Sequence, residues 1–206
     1  MFGRRAPLAG ALILLAALST GAMPGHADPD LDAAKQFVRM LVDDAVEVLK
    51  LPSEATAQRE AGFRRLLTRN FDMPAISRLV LGRHWPRNSP DQQSTFRKVF
   101  ETHIVKVYTS QLGVYEQQTV EIDKAAPLTE RDSVIFTLVA REDDPPLRLD
   151  WRVRRTKNGL KVIDVAAEGV SMLTTKRSEF TSVVAREGLE ALIGRLEELN
   201  NQQDQS

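Results

Sequence analysis

The hydrophobic repeat of this chain changes from a helical to an extended period near Val114, and this change constrains the fold more than any other feature. Before it, apolar residues recur every three or four positions, the spacing that places them on one helix face. After it, they alternate with polar residues, as in strands with one buried face. A last helical repeat begins near Ser178. The order predicts an α+β fold, with four to five helices packed against a curved antiparallel sheet of about four strands.

Two helices are predicted at the start of the helical region. Apolar residues recur at helical spacing over residues 31–50, and Pro52 ends this first helix. The second helix follows, and its apolar face carries Phe63, Leu66 and Leu67.

Capping residues predict where the next two helices begin. Asp72 can cap a third, short helix that ends at Gly82, where a left-handed conformation costs little. Ser89 and Gln92 form a capping box with Pro90 at the first helical position, which predicts the start of a fourth helix. A wide apolar stripe predicts that this helix is largely buried, and it comprises Phe96, Val99, Phe100, His103, Ile104, Val107, Tyr108 and Leu112.

Four antiparallel strands are predicted after the helices. They cover residues 120–123, 133–140, 147–154 and 160–165, with a hairpin turn at Lys157, Asn158 and Gly159. The third strand alternates strictly, so it has one apolar and one charged face. The second is apolar throughout, so either of its faces can turn inward.

The first 27 residues have the layout of a secretory signal. Arg4 and Arg5 charge its start, and residues 8–18 supply about eleven apolar or small residues, too few to span a bilayer that needs roughly twenty. The small residues around His26 predict cleavage before Asp28, with residues 20–22 as a second candidate. No cysteine is present to take a lipid anchor, so we expect an exported, soluble mature protein of residues 28–206.

The composition of the mature chain favours one domain held by packing alone. About 180 residues suit a single core. Without Arg4 and Arg5, 26 of the 28 basic residues remain against 28 acidic residues, a formal net charge of −2 that argues against a polyanionic main partner. The chain has no cysteine, so disulfides and thiolate metal sites are excluded.

The usual local motifs of enzymes and metal proteins are absent from the sequence. It has no GxSxG, HExxH or GxxxxGK[ST] motif. Asp28, Asp30 and Asp32 resemble the start of a calcium loop, but the glycine and glutamate that such a loop needs are missing. His84 and His103 fit structural roles. We therefore predict no catalytic residue, metal or cofactor.

Basic residues cluster on the third strand and the turn after it. They are Arg148, Arg152, Arg154, Arg155 and Lys157. Asp150 interrupts them and no aromatic platform is interleaved, which argues against nucleic-acid binding. The cluster is interpreted as a solvated sheet face; contact of part of it with an acidic partner or lipid headgroups stays open.

Two sequence blocks carry a family resemblance. Residues 72–85 read DMPAISRLVLGRHW and are followed by Phe96, Phe100 and Tyr108. Residues 162–172 read VIDVAAEGVSM, and residues 177–180 read RSEF. Together they resemble the MlaC, or toluene-tolerance auxiliary, family of periplasmic phospholipid-binding proteins, over nearly the whole mature chain.

The resemblance implies a fold related to the NTF2-like cone around an apolar cavity. It implies a periplasmic carrier that shuttles phospholipid between outer and inner membranes as part of an ABC-type transport system, with lipid as cargo. The implied partners are an inner-membrane ABC transporter with an MCE-domain protein and an outer-membrane lipoprotein complex. The resemblance also admits a hopanoid-associated branch of similar proteins. This sequence has His84 where many relatives carry a tyrosine before the tryptophan, so the class of lipid stays open.

Apolar residues of the predicted helices and strands supply the candidates for the lining of such a cavity. They are Ile76, Leu79, Val80, Phe96, Phe100, Val107, Tyr108, Phe136, Leu138, Leu149, Trp151, Val165, Val170 and Met172.

Two other functions stay open at this point. Folds of this shape also host small isomerases and hydrolases with an Asp and a Tyr in the cavity, and the candidates here are Tyr108, Tyr115, Asp150 and Asp164. In the structural interpretation, Asp164 caps a helix or supports a turn. A ligand-free adaptor or chaperone predicts a packed interior without a cavity.

Overall fold

The structure of the chain is a computed structural model that describes residues 29–52, 54–111, 119–141 and 145–203. Helices α1 to α6 span Pro29–Leu49, Thr56–Asn70, Met73–Leu81, Pro90–Gln111, Met172–Glu187 and Leu189–Gln203, and a 3₁₀ helix spans Gly82–Arg87. Strands β1 to β5 span Val120–Pro127, Asp132–Val139, Leu147–Thr156, Gly159–Ala167 and Val170–Ser171. The predicted α+β order of helices, contiguous strands and a closing helical region is confirmed.

The predicted caps of α3 and α4 are present. Asp72 Oδ1 accepts a 3.0 Å hydrogen bond from the Ala75 amide. The Ser89 amide donates to Gln92 Oε1 at 2.8 Å, and the Gln92 amide donates to Ser89 Oγ at 3.2 Å. Both caps satisfy amides that the first helical turn leaves without a carbonyl partner. They fix where the two helices begin.

The sheet has the strand order β1-β2-β3-β4-β5, and each neighbouring pair is antiparallel. Its fifth strand was not predicted, because two residues are too short to show an alternating pattern. A tight turn leads into it, with Glu168 at φ +48° and Gly169 at φ +79°. This turn brings β5 back onto the end of β4 and places Ser171 at the start of α5.

The prediction of one closing helix beginning near Ser178 was wrong. The helical region begins six residues earlier, at Met172, because the Ser171 hydroxyl caps it by accepting from the Thr174 amide at 3.0 Å. Gly188, at φ +87°, divides the region into α5 and α6. The apolar repeat continues through this break, so it gave no signal for it.

The alternation of β3 places its apolar residues on one face of the sheet and most of its charged residues on the other, as predicted. Odd-numbered residues of β2 and β3 pair across the strands, for example Ile135 with Trp151 and Thr137 with Leu149. Ile135 packs against Ala34 and Val38 of α1, so the odd face is the one the helices cover. Even-numbered residues carry most of the charges of β3 and lie on the opposite face. The helices and the sheet therefore form two layers.

The helical layer has its own aromatic core. The Phe96 and Phe100 rings stack with centroids 5.5 Å apart, and both meet the Phe180 ring edge-on at 6.0 and 5.3 Å. These contacts join α4 to α5. They hold the helices together independently of the sheet, so a space can exist between the layers without loosening either.

Some sequence predictions fall on residues that the structure does not describe. They concern segment 1–27 with its two cleavage candidates, Leu112 at the end of the α4 stripe, and Tyr115. These stay predictions. Within the described ranges, the structure contains no helix that combines the length and the apolar character needed to cross a membrane.

Candidate functional site

An apolar cavity of about 360 Å³ lies between the helical layer and the inner face of the sheet. Its wall is built from α1, α2, α3, α4, β3, β4 and the start of α5. Almost all of the exposed wall surface is apolar. The volume falls in the range of small-molecule pockets, which run from about 300 to 1,000 Å³. An apolar space of this kind holds hydrocarbon better than water, because water there would lack hydrogen-bond partners.

The structure brings eight of the fourteen candidate residues together on the cavity wall. They are Ile76, Val80, Phe100, Tyr108, Leu149, Trp151, Val165 and Met172. They come from two helices, two strands and the first residue of α5. The helix face and the sheet face of the cavity were thus both represented among the candidates.

Three of the other candidates lie on strands or at a turn and are off the wall. Phe136 and Leu138 belong to the even face of β2, away from the helices. The Phe136 ring instead has Lys124 Nζ and Arg148 Cζ each 5.0 Å from its centroid. Val170 lies beside the tight turn and is 58% exposed.

The remaining three candidates lie on helices but do not line the cavity. Phe96 is fully buried behind the wall, in the stack with Phe100. Leu79 and Val107 are half-buried and are not among the residues of the wall. On α4 the wall is made by Phe100, Ile104 and Tyr108, with Val105 beside them. The predicted stripe is wider than the face that meets the cavity.

Sequence reasoning missed a large part of the wall. The missed residues are Leu41, Ala45, Phe63, Leu66, Leu67, Phe71, Met73, Ile104, Val105, Leu147, Ile163, Asp164, Ala167, Leu173 and Lys176. Several belong to apolar faces of α1 and α2 that the sequence did reveal. Nothing in a periodic pattern says which buried face meets a cavity and which meets core, so these faces were assigned to neither.

Three of the wall residues carry a hydroxyl, a carboxylate or an ammonium group: Tyr108, Asp164 and Lys176. The Asp164 carboxylate accepts from the Ser171 hydroxyl at 2.6 Å and from the Leu173 amide at 3.0 Å. Both oxygens are therefore engaged at the start of α5. Burial raises the pKa of the Tyr108 hydroxyl, and the negative charges of Asp164 and Glu179 raise it further, so this hydroxyl stays neutral.

Lys176 lies at the edge of the cavity. Its side chain is on the wall, yet 27% of its surface is exposed. Its ammonium lies 2.8 Å from Glu179 Oε2 and 5.9 Å from the centroid of the Phe180 ring. The apolar stem thus faces the cavity and the charge reaches the outer surface, as long cationic side chains do at the edge of apolar regions.

The two described histidines are buried away from the wall. His103 Nδ1 lies 3.3 Å from Asn200 Oδ1, where α4 meets α6. Burial lowers the pKa of His103, and the charge of Lys176 lowers it further. Burial, with Arg83 and Arg87, also lowers the pKa of His84. Both positions fit the structural roles expected from the sequence.

Three basic residues of β3, Arg148, Arg152 and Arg154, are paired with carboxylates on the outer face of the sheet, whereas Arg155 pairs with Asp30 of α1. Arg152 and Arg154 both bind Asp132, at 2.6 and 2.7 Å, and hydrogen bonds from Arg154 are the main reason that the pKa of Asp132 is lowered. Arg148 binds Asp150 through two 2.7 Å hydrogen bonds. Asp150, a candidate for an enzyme site, is not among the residues of the cavity wall. The outer face of the sheet thus carries a set of ion pairs, of which Asp132 is the buried centre.

Comparisons with known proteins agree with this architecture. The model of the MlaC protein family matches residues 39–198. The intermembrane phospholipid transport system binding protein MlaC of Haemophilus influenzae is 22% identical over 159 residues, covering 73% of this chain and 74% of that protein. A solved structure of the phospholipid-binding protein from Ralstonia solanacearum, in complex with a phospholipid, is 25% identical with a TM-score of 0.73, covering 83% of this chain and 98% of that one. The family match spans well over half of the sequence, and the chain therefore belongs to the MlaC family.

Proposed function

We propose that this protein is a periplasmic lipid carrier that encloses acyl tails in the cavity between its two layers. The observation that carries the proposal is the apolar space of about 360 Å³. Two acyl tails contain roughly thirty methylenes, and exposing each to water costs about 0.8 kcal/mol. A lipid crossing an aqueous compartment therefore needs an apolar space for its tails, and the wall of this cavity is almost entirely apolar.

The composition of the wall suits flexible hydrocarbon. Met73 and Met172 lie at opposite parts of the chain but on the same wall. Methionine side chains are unbranched and adapt to irregular shapes. The aromatic rings of Phe63, Phe71 and Trp151 add large apolar surfaces. The Trp151 indole donates to Thr137 Oγ1 at 3.0 Å, so its polar group is satisfied within the sheet and the ring needs no polar ligand.

The same geometry supports a carrier rather than an isomerase or hydrolase. Asp164 is the only enzyme candidate carboxylate on the described wall, and its two oxygens cap α5. A general base needs a free oxygen within reach of a substrate proton. Tyr108 has a neutral hydroxyl and no described carboxylate free to activate it. This favours the structural interpretation of Asp164.

The relatives support a wider role in transport. The Haemophilus influenzae protein is named as the binding protein of an intermembrane phospholipid transport system. By analogy, this protein would carry phospholipid, or a related lipid, between the outer and inner membranes within an ABC-type system. Its partners would be an inner-membrane ABC transporter with an MCE-domain protein and an outer-membrane lipoprotein complex.

Native mass spectrometry of the protein purified from cells tests the carrier function. We expect about one bound lipid molecule per protein chain, and the mass of the released lipid identifies it. Ala45→Phe fills part of the cavity from α1 and should lower the occupancy. Ala61→Phe adds the same ring on the exposed side of α2 and serves as the matched control. A wild-type protein that carries no lipid and takes none from vesicles would exclude the carrier and favour the ligand-free adaptor.

A further inference from the structure

Lys176 is the one cationic residue among the described residues of the cavity wall. Its methylene stem shares the wall with Met172 and Leu173, and its ammonium lies outside, at Glu179. The residue therefore marks a place where the apolar interior ends and water begins. A lipid held by its tails must pass from hydrocarbon to polar headgroup at such a boundary.

The surroundings of the ammonium leave it able to change partner. Its bond to Glu179 is an exposed pair within one helix, and pairs of this kind contribute only about 0.3–0.5 kcal/mol. The Phe180 ring lies under the ammonium at 5.9 Å and stays in place as part of the aromatic core. Exchange of Glu179 for another anion thus costs little and disturbs no packing.

The wall also carries a hydroxyl group, on Tyr108, and a carboxylate, on Asp164. Tyr108 offers a neutral hydroxyl, which can donate a hydrogen bond to an anion. Asp164 is held by Ser171 and Leu173, so its charge is fixed at the start of α5 and is partly satisfied there. Phosphate is the headgroup moiety that all phospholipids share, and lysine binds phosphate as a point charge.

We infer that the Lys176 ammonium binds the headgroup phosphate of a lipid whose tails occupy the cavity, with Glu179 holding the ammonium when no lipid is bound. This rests on the proposed carrier function and adds to it a subsite for the phosphate. The tails supply most of the binding free energy, and Lys176 selects lipids that carry phosphate.

A competition between two lipids with the same tails tests the subsite. Lipid-free protein is incubated with vesicles containing equal amounts of dioleoylphosphatidylethanolamine and dioleoylglycerol, which lacks the phosphate. The bound lipids are then quantified by mass spectrometry. We expect the wild-type protein to prefer the phospholipid by about tenfold, the effect of one charge-assisted hydrogen bond. Lys176→Met, which keeps the apolar stem, should reduce the preference to about twofold or less without lowering total occupancy.

Three further variants keep the test independent of folding defects. Lys176→Arg keeps the charge and should retain the preference. Glu179→Gln removes the competing carboxylate and should raise the preference for the phospholipid. Lys98→Met removes an exposed lysine from α4, which is not on the wall, and should leave it unchanged.

The possible outcomes separate the subsite from the carrier function. If the protein takes up neither lipid, the carrier function itself fails. If Lys176→Met and Glu179→Gln both bind lipid with the wild-type preference, the subsite is wrong and the carrier function stands. Saturable, Lys176-dependent binding of inorganic phosphate alone would assign the site to free phosphate and overturn the headgroup assignment.

Discussion

The Asp164 carboxylate accepts a 2.6 Å hydrogen bond from the Ser171 hydroxyl and so ties strand β4 to the start of α5. Its second oxygen accepts from the Leu173 amide at 3.0 Å. The Ser171 hydroxyl in turn accepts from the Thr174 amide. Three groups at the beginning of α5 are thus satisfied by two side chains, which explains why the helix starts there and how its wall residues are positioned.

This bond predicts that Asp164 is a stabilising residue. Asp164→Ala removes both hydrogen bonds and leaves the Leu173 amide and the Ser171 hydroxyl proton without their acceptor, so the free energy of unfolding should fall by about 1–3 kcal/mol. A double-mutant cycle with Ser171→Ala, measured by urea denaturation, should give a favourable coupling energy of about 1 kcal/mol. Strictly additive single effects would contradict the direct bond.

The ion-pair cluster on the outer sheet face predicts a pH dependence of stability. Arg152 and Arg154 lower the pKa of Asp132 below its value in the unfolded chain. A lowered folded pKa contributes stability above the unfolded pKa, and this contribution is lost as pH falls through the folded pKa. Stability from this group should therefore be complete above about pH 5 and decline as acid is added.

Asp132→Asn tests that pH dependence. At neutral pH it should lower the free energy of unfolding by about 2–4 kcal/mol, because Asp132 is only 2% exposed and two guanidinium groups lose their anion. The loss relative to wild type should shrink as pH falls from about 5 to 3, measured by thermal denaturation in a pH series. A constant difference across the series would show that Asp132 does not titrate with folding.

Much of the fold was predictable from the sequence because its signals are local. The Ser89 cap, the stripe of α4 and the alternation of β3 each depend on residues close in the chain. The Gly188 break was not predictable, since the apolar repeat continues across it. The inward face of β2 was left open because that strand is apolar throughout.

The cavity was less predictable than the fold because it depends on how the elements pack. Phe96 and Phe100 lie on one stripe, four residues apart, yet only Phe100 reaches the cavity. Leu66 and Met73 were visible as apolar residues, but their shared wall forms only when α2 and α3 meet the sheet. Lys176 gave no signal, because a lysine at a cavity edge has the same sequence pattern as one on a solvated face.

Replacing two glycines, one at the break between α5 and α6 and one inside α6, with alanine should have opposite effects on stability. Gly188 has φ +87°, a conformation that alanine adopts with strain, so Gly188→Ala should destabilise the protein by about 1 kcal/mol or more. Gly194 lies inside α6 with open space at its Cβ position. Gly194→Ala should stabilise the protein by about 0.5–1 kcal/mol. Thermal melts of the two variants compare them directly, and a shift in the same direction for both would contradict the backbone assignment.

Val165 and Val107 provide the sharpest test of where lipid binds, because only Val165 lies on the cavity wall. Val165→Asp places a carboxylate in an apolar space that empties of lipid and admits water, so the variant should fold and lose its lipid. Val107→Asp adds the same charge at a half-buried position of α4 that is not on the wall, so it should keep its lipid even if some stability is lost. Circular dichroism and lipid extraction on the same samples separate folding from binding. Loss of lipid from a folded Val107→Asp variant, with full occupancy in Val165→Asp, would place the lipid outside this cavity.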